Sequence, residues 1–211
     1  MYDINNLIFK HFTGDGVTFP NWFERRVDDE SSAILYSLIR EYKPKNVLEI
    51  GTFHGGITTL ILSSLIKNGG KFTFVASELI EERMNITKDN SERMCGVSPI
   101  LIGDITKNLD KVSETLDFLF VDTDHDLDTT KWIIENIWPR VVSGGIFGMH
   151  DWPVRVVKGE IRSKEMDGIG NCWPETNYLI ELIKEKKFPF ELIYWTYRGQ
   201  GSPEAGFWIK L

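Results

Sequence analysis

Carboxylate and imidazole side chains lie at the ends of five short apolar segments of this sequence. They are Glu49, Glu78, Asp104, Asp122, His125, His150 and Asp151. A carboxylate can accept hydrogen bonds from hydroxyl groups, pair with an ammonium group or ligate a divalent cation, and a histidine can remove a proton near neutral pH. The set predicts a site for a small polar molecule, next to a centre for acid–base or metal chemistry.

The segment VLEIGTFHGGITTL, residues 47–60, joins an apolar run to a helical pattern through a glycine-containing loop. Glycine lets a ligand approach the backbone, and free amides at a helix start attract a negative group. A dinucleotide-binding loop needs a glycine where this chain has Phe53, so pyrophosphate would meet a benzyl group. The carboxylate of Glu49 suits an ammonium group, which predicts a zwitterionic ligand. Alternatively, the glycines only permit close packing of helix on strand.

The elements that must position these residues alternate between strand and helix. Strand-like NVLEI, KFTFVAS, SPILIG, LDFLFV and GGIFGMH are separated by helical patterns, and the chain ends in FELIYWTY and GFWIKL, which read as an antiparallel pair. Buried parallel strands need helical crossovers, so this order predicts an α/β fold with a doubly wound, mostly parallel sheet covered by helices on both faces.

Ligands of open parallel sheets bind beyond the carboxyl ends of the strands, where the strand order reverses. Glu78 follows the second strand, where a carboxylate could accept hydrogen bonds from both hydroxyls of a ribose. Its alternative role is to begin the acidic helix start ELIEER, where carboxylates complement the helix dipole. Asp104 follows the third strand, within reach of an adenine amino group, or serves as an ordinary turn acid.

Over roughly residues 45–150, the sequence resembles class I S-adenosylmethionine-dependent methyltransferases. The features that carry this resemblance are the pattern E-x-G-x-x-x-G from Glu49 to Gly55, an acid after each of the next two strands, and LDFLFVDTDH on the fourth strand. The resemblance implies a Rossmann-like fold with a seven-stranded sheet whose last strand is antiparallel. It also implies that Glu49 serves the methionine amino group, Glu78 the ribose and Asp104 the adenine. The implied cofactor-binding residues are Glu49, Gly51, Thr52, Phe53, Gly55, Glu78, Leu79, Gly103, Asp104 and Asp122.

The segments FVDTDHDLD and FGMHDW resemble the cation-dependent O-methyltransferases, most closely the macrolide sugar type and the cephalosporin-hydroxylase-like proteins. By position, Asp122, His150 and Asp151 would ligate a divalent cation, Mg or Mn, and His125 would act with Asp122 in catalysis as the general base. His150 stands where the relatives have an oxygen ligand, although imidazole suits manganese or zinc better than magnesium. Either the metal differs, or water completes the site, or no metal binds. The acidic run from Asp122 to Asp128 could also be a helix cap.

Length and composition fit one domain, because 211 residues of which 42% are hydrophobic suffice for a sizeable core. We expect a helical lid segment over residues 1–44, the methyltransferase domain over residues 45–211, and a lid insertion within it at residues 153–175. A net charge of −7 argues against nucleic-acid binding. No apolar run approaches the ~20 residues that cross a bilayer, and no signal segment is visible, so we expect no membrane association and a cytoplasmic location.

The sequence thus predicts an S-adenosylmethionine-dependent methyltransferase that methylates a hydroxyl of a small molecule, such as a sugar or natural product, with a divalent cation as an assisting ion. Two alternatives stay open. A protein of this fold could bind an adenosyl ligand and catalyse a different reaction, as the hydroxylase-like relatives do by name, or it could bind the ligand without catalysis and act through a protein partner. The C-terminal strand pair could equally form a homo-oligomer surface.

Overall fold

The computed structural model of the chain describes residues 3–17, 29–124, 126–150, 154–157, 160–163, 176–185, 187, 190–198 and 202–211. The helices are α1 (Ile4–Leu7), continued by a π-helical turn (Ile8–Thr13), α2 (Asp29–Tyr42), α3 (Gly56–Asn68), α4 (Glu81–Cys95), α5 (Leu127–Asn136) and α6 (Thr176–Lys184). The strands are β1 (Asn46–Ile50), β2 (Thr73–Ser77), β3 (Ile100–Ile102), β4 (Leu116–Val121), β5 (Val141–His150), β6 (Val154–Val157), β7 (Glu160–Ser163), β8 (Phe190–Arg198) and β9 (Ser202–Lys210).

Seven strands form one sheet in the order β3-β2-β1-β4-β5-β9-β8. Strands β1 to β5 pair in parallel, and β9 runs antiparallel to both of its neighbours, β5 and β8. The predicted doubly wound α/β fold, with a seven-stranded sheet and an antiparallel last strand, is confirmed.

The strand order reverses at β1, which pairs with β2 on one side and with β4 on the other. The register places Ile50 opposite both Ser77 and Val121, so these three strands end at the same level. The residues that follow them therefore meet at one edge, in the crevice where open α/β sheets bind ligands.

The core has two parts, one on each face of the sheet. Alternation along β1 directs Val47 and Glu49 to the face covered by α2 and α3, and Leu48 and Ile50 to the face covered by α5 and α6. Glu49 is consequently a carboxyl group set among aliphatic side chains, at the level where α3 begins.

The described part of the N-terminal segment, residues 3–17, packs on the C-terminal half of α2. Asp15 accepts hydrogen bonds from the Tyr36 hydroxyl and the Arg40 Nε, both at 2.8 Å, and His11 Nε2 lies 2.7 Å from Glu41 Oε2. Helix α2 ends just before β1 begins, so these contacts lie at the amino ends of the strands, opposite the crevice. The lid role expected of residues 1–44 stays a prediction, and residues 18–28 lie outside the described residues.

The segment predicted as a second lid, residues 153–175, contributes the two-stranded antiparallel pair of β6 and β7, and its other residues lie outside the described ones. Its role as a lid also stays a prediction. Throughout the described ranges, every helix is too short or too polar to cross a lipid bilayer.

Candidate functional site

The carboxyl ends of β1, β2, β4 and β5 bring together four of the side chains singled out from the sequence: Glu49, Glu78, Asp122 and His150. The backbones around them are joined directly, since the Gly51 N–H donates to the Ser77 carbonyl at 2.9 Å and the Asp122 N–H donates to the Ile50 carbonyl at 2.8 Å. His125 and Asp151 lie outside the described residues. The predicted clustering of acids from separate strands is therefore present in the described part of the site.

Glu49 is fully buried, with 0% of its surface exposed. Neither carboxyl oxygen has a hydrogen-bond partner among the described residues, and the buried Thr58 hydroxyl on the first turn of α3 also has none. Burial raises the pKa of Glu49 to about 8. The nearby Thr58 hydroxyl, although it does not meet hydrogen-bond geometry, opposes this rise, whereas the negative charges of Asp122 and Glu78 add to it. An unpaired buried carboxylate is costly, so the neutral acid is favoured in the ligand-free protein, and a cationic ligand group could stabilise the ionised form.

The glycines of the loop sit where a side chain would collide with the backbone. Gly51 has a φ of +88°, and a Cβ there would lie 1.8 Å from the carbonyl oxygen of Asp122. Gly55 has a φ of +80°, and its Cβ would lie 3.0 Å from the Thr87 Cα. Both glycines thus serve close packing of the chain on itself, the alternative that the sequence left open beside ligand approach.

Phe53 adopts a left-handed conformation with a φ of +51°, which is uncommon for a residue with a side chain. Its ring stacks on His54 with centroids 3.8 Å apart, and the Arg83 guanidinium lies 5.0 Å from the ring centroid. The Phe53 N–H donates to Glu78 Oε2 at 2.9 Å. These contacts hold the loop in a conformation that Phe53 would not favour alone.

Glu78 follows β2 and is buried in the crevice. Its second oxygen, Oε1, accepts a hydrogen bond from the Ile80 N–H at 3.1 Å. Each carboxylate oxygen has capacity for a further hydrogen bond, so the group can tie the loop to β2 and still accept from a ligand hydroxyl. The next residue, Leu79, leaves 72% of its side chain exposed beside it.

Asp104 caps a short 3-10 turn rather than pointing free into the crevice. Its Oδ1 accepts from the Thr106 N–H at 2.9 Å and the Thr106 hydroxyl at 2.7 Å, and its Oδ2 pairs with Lys107 Nζ at 3.0 Å. The Thr106 hydrogen bond and then the Lys107 contact hold the pKa of Asp104 below its usual range. The turn-acid alternative describes these contacts, and the predicted adenine contact stays untested. The neighbouring Gly103 carbonyl accepts from the Ser77 hydroxyl at 2.8 Å.

Asp122 and His150 meet at the ends of β4 and β5, where His150 Nδ1 lies 3.1 Å from Asp122 Oδ1. Within the ranges described, no group of three or more His, Cys, Asp or Glu side chains is placed to hold a metal ion. Of the three expected metal ligands, Asp122 and His150 are described, and the imidazole of His150 suits manganese or zinc better than magnesium, which prefers oxygen ligands. Asp126 caps α5 by accepting from the Thr129 N–H at 2.8 Å, as the helix-cap alternative for this acidic run predicted.

Sequence reasoning missed the polar residues of α4 that contact the loop. Thr87 Oγ1 lies 3.0 Å from Thr52 Oγ1 and donates to the Phe53 carbonyl at 3.3 Å, and Asn90 Nδ2 donates to the His54 carbonyl at 2.8 Å. A signal for them exists in the sequence, because residues three apart share a helix face, and this face of α4 is polar although it packs inward.

Comparisons with known proteins agree with this architecture. A family model described as a methyltransferase domain matches residues 48–152. No curated protein sequence matches the chain.

Three solved structures illustrate the shared fold. The O-methyltransferase from Bacillus cereus in complex with SAH has a TM-score of 0.64 and 18% identity, covering 98% of this chain and 90% of its own. The SAH-bound methyltransferase PaMTH1 from Podospora anserina has a TM-score of 0.61 and 16% identity, covering 100% of this chain and 89% of its own. The O-methyltransferase TomG from Streptomyces achromogenes, in complex with SAM, has a TM-score of 0.60 and 14% identity, covering 100% and 99%.

Proposed function

We propose that this chain, a class I S-adenosylmethionine-dependent methyltransferase, transfers a methyl group to a hydroxyl group of a small molecule. The match of residues 48–152 to a methyltransferase domain supports the reaction class. The Bacillus cereus and Streptomyces achromogenes structures are both named O-methyltransferases, which supports oxygen as the methyl acceptor. A sugar or natural product as acceptor, and a cytoplasmic location, remain predictions from the sequence.

The observation that carries the proposal is the buried carboxyl of Glu49, whose oxygens have no hydrogen-bond partner in the part of the chain that the structure describes. A ligand ammonium group would stabilise the ionised form of Glu49, whereas a phosphate group would disfavour that form and would meet the Phe53 ring. S-adenosylmethionine carries such an ammonium group and, when bound, supplies an electrophilic methyl group on a sulfonium. The donor set at the loop therefore fits an amino-acid-bearing adenosyl ligand better than a dinucleotide.

We assign the binding of this cofactor to the residues at the ends of β1 to β4. Glu49 would pair with the ammonium group, and the first amides of α3, which have no acceptor within the helix, would face the carboxylate. Glu78 would accept hydrogen bonds from the ribose hydroxyls through its remaining lone pairs. The full set is Glu49, Gly51, Thr52, Phe53, Gly55, Glu78, Leu79, Gly103, Asp104 and Asp122.

The chain must also remove the proton of the acceptor hydroxyl, because a neutral hydroxyl is a weak nucleophile. We propose His125 as the general base and Asp122 as its partner in catalysis, with His150 Nδ1 fixing the Asp122 carboxylate at 3.1 Å. A divalent cation held by Asp122, His150 and Asp151 is the second route, since coordination acidifies a hydroxyl. The imidazole of His150 makes manganese a better candidate than magnesium for that route.

Calorimetric titration with S-adenosylhomocysteine tests the binding proposal, on protein stripped with a chelator and then with magnesium or manganese added. We expect saturable one-site binding that Glu78→Ala and Glu49→Gln weaken, and that Glu92→Gln, an exposed carboxylate on the same helix as the loop contacts, leaves unchanged. Absence of binding by the wild-type protein under every condition would refute the assignment of the crevice.

The reaction itself is tested by incubating the protein with S-adenosylmethionine and hydroxylated acceptors. Formation of S-adenosylhomocysteine in one-to-one ratio with a methylated product is the expected result. Tight binding of the adenosyl ligand with no methylated product from any acceptor panel would favour the alternative of a different reaction or a binding role.

A further inference from the structure

Both backbone polar groups of Phe53 form hydrogen bonds with side chains from other parts of the chain. Its N–H donates to Glu78 Oε2 at 2.9 Å, and its carbonyl accepts from Thr87 Oγ1 at 3.3 Å. Thr87 Oγ1 also lies 3.0 Å from Thr52 Oγ1, where either hydroxyl could be the donor. Because a hydroxyl has one proton, both contacts form together when Thr87 donates to the Phe53 carbonyl and Thr52 donates to Thr87. The three groups form one directed chain of hydrogen bonds from Thr52 through Thr87 to Phe53.

Helix α4 contacts the same loop at two further points. Asn90, one turn beyond Thr87, donates from Nδ2 to the His54 carbonyl at 2.8 Å. The backbone of Thr87 also lies against Gly55, where an added Cβ would come within 3.0 Å of the Thr87 Cα and Cγ2. Thr87 is fully buried, so it contacts the loop from beneath and is shielded from solvent.

These contacts bear on ligand binding because the loop is strained. Phe53 holds a φ of +51°, and such conformations persist only where the surroundings fix them. If the hydrogen bonds from Thr87 and Asn90 are removed, the loop can relax. The Glu78 carboxylate and the amides at the start of α3 then lose their relative placement. The ligand would then have to restore that placement at the expense of affinity.

We propose that Thr87 and Asn90 are positioning residues for the cofactor: without touching the ligand, they hold residues 52–54 in the binding conformation through their hydrogen bonds to Thr52, Phe53 and His54. The inference rests on the proposed function, since it concerns the same adenosyl-ligand site. It adds two residues of α4, Thr87 and Asn90, that were not among the site residues expected from the sequence.

The test measures S-adenosylhomocysteine affinity by calorimetry in matched variants of the full chain. Thr87→Val keeps the shape of the side chain and removes the hydroxyl, and we expect the Kd to rise about tenfold from the loss of a buried hydrogen bond. Thr87→Ser keeps the hydroxyl and should stay within about twofold of the wild type. Asn90→Asp keeps the size but cannot donate to the His54 carbonyl, and we expect a rise of about threefold to tenfold.

Ser91→Ala is the matched control. Ser91 is the residue after Asn90 on α4, is fully buried, and its hydroxyl has no hydrogen-bond partner within the described part of the chain. We expect this variant to bind like the wild type. Hydrogen exchange at the Phe53 and His54 amides supplies a second readout, which should accelerate in Thr87→Val and Asn90→Asp but not in Ser91→Ala.

The outcomes separate this inference from the proposed function. If the wild-type protein binds no S-adenosylhomocysteine, the proposed function fails and the inference fails with it. If the wild type binds, and Thr87→Val and Asn90→Asp bind equally well with unchanged amide exchange, the positioning role alone is overturned. Loss of affinity in Thr87→Ser equal to that in Thr87→Val would also overturn it, because the hydroxyl would not be the cause. If Thr87→Val fails to fold, Asn90→Asp decides, since that side chain is only partly buried.

Discussion

Replacing Glu49 by glutamine should make the ligand-free protein more stable at alkaline pH. Glutamine has nearly the same size but never ionises, so it removes the cost of holding a buried carboxylate without a partner. Burial raises the pKa of Glu49 to about 8 in the folded chain, against an ordinary value of 4.5. The folded state therefore binds a proton more tightly than the unfolded state, and wild-type stability falls as pH rises from 4.5 to about 8.

The magnitude follows from the size of the shift. A rise in the pKa from 4.5 to about 8 corresponds to several kcal/mol of unfolding free energy. Below pH 4.5, Glu49 is neutral in both states, and the variant and the wild type should have similar stability. Above pH 8 the variant should be the more stable by several kcal/mol, a large fraction of the ~5–15 kcal/mol that stabilises a typical domain.

Urea unfolding of both proteins without ligand, at about pH 5, pH 7 and pH 9, measures this difference directly. Glu92→Gln serves as the control, because Glu92 is exposed and should give the same stability difference at every pH. A difference between Glu49→Gln and the wild type that does not grow with pH would refute the reasoning, since Glu49 would then titrate as an ordinary carboxyl.

Ligand binding should respond in the opposite direction. Loss of the charge that would pair with an ammonium group should weaken S-adenosylhomocysteine by about tenfold to a hundredfold, the usual worth of a charge-assisted hydrogen bond. A variant that is more stable alone and yet binds more weakly cannot be explained by damaged folding. Weaker binding together with lower stability at about pH 9 would instead indicate that Glu49 supports the fold.

Three other substitutions test separate parts of the structure. Gly51→Ala would place a Cβ 1.8 Å from the Asp122 carbonyl oxygen, so we expect a loss of about 3 kcal/mol or more in urea unfolding. Gly96→Ala is the control, with an expected loss of about 1 kcal/mol, because Gly96 has an ordinary left-handed conformation with a φ of +74° and a Cβ there would meet nothing within 4 Å. Equal losses would contradict the close approach. His150→Ala removes the imidazole from Asp122 Oδ1. We expect product formation to slow by at least about tenfold, while the affinity for S-adenosylhomocysteine changes by less than about threefold. Unchanged turnover would show that His150 is not part of the catalytic site. Lys210→Met removes hydrogen bonds from Nζ to main-chain carbonyls. We expect the free energy of unfolding to fall by about 1–3 kcal/mol without a change in ligand affinity. An unchanged urea midpoint would show that these carbonyls need no partner.

The succession of strands and helices along the chain, and the edge of the sheet where the predicted site lies, could be read from the sequence. Alternating apolar strands and helical patterns require a covered parallel sheet, and the residues after each strand must then meet at one edge. Glu49, Glu78 and Asp122 lie there because the hydrophobic period is a local property, visible in any short window of the chain.

The sequence could not decide how the acids at that edge are used. By its position in the sequence, Asp104 could face an adenine or serve as a turn acid, and in the structure its carboxylate accepts hydrogen bonds from Thr106 and pairs with Lys107. The adenine contact stays a prediction, because local hydrogen bonds of this kind compete with ligand contacts and the sequence does not show which partner the side chain takes.

Tertiary structure alone decided the contacts between distant segments. Thr87 meets Thr52 from 35 positions away, and His150 meets Asp122 from 28 positions away, at distances set by strand register and helix placement. The sequence by itself determined the fold class and placed the acid and glycine residues of the predicted site at the carboxyl edge of the sheet. Tertiary packing decided three further features: the burial of Glu49, the left-handed conformation of Phe53 and the hydrogen bonds from α4 to the loop. Each depends on backbone segments that approach one another only in the folded chain.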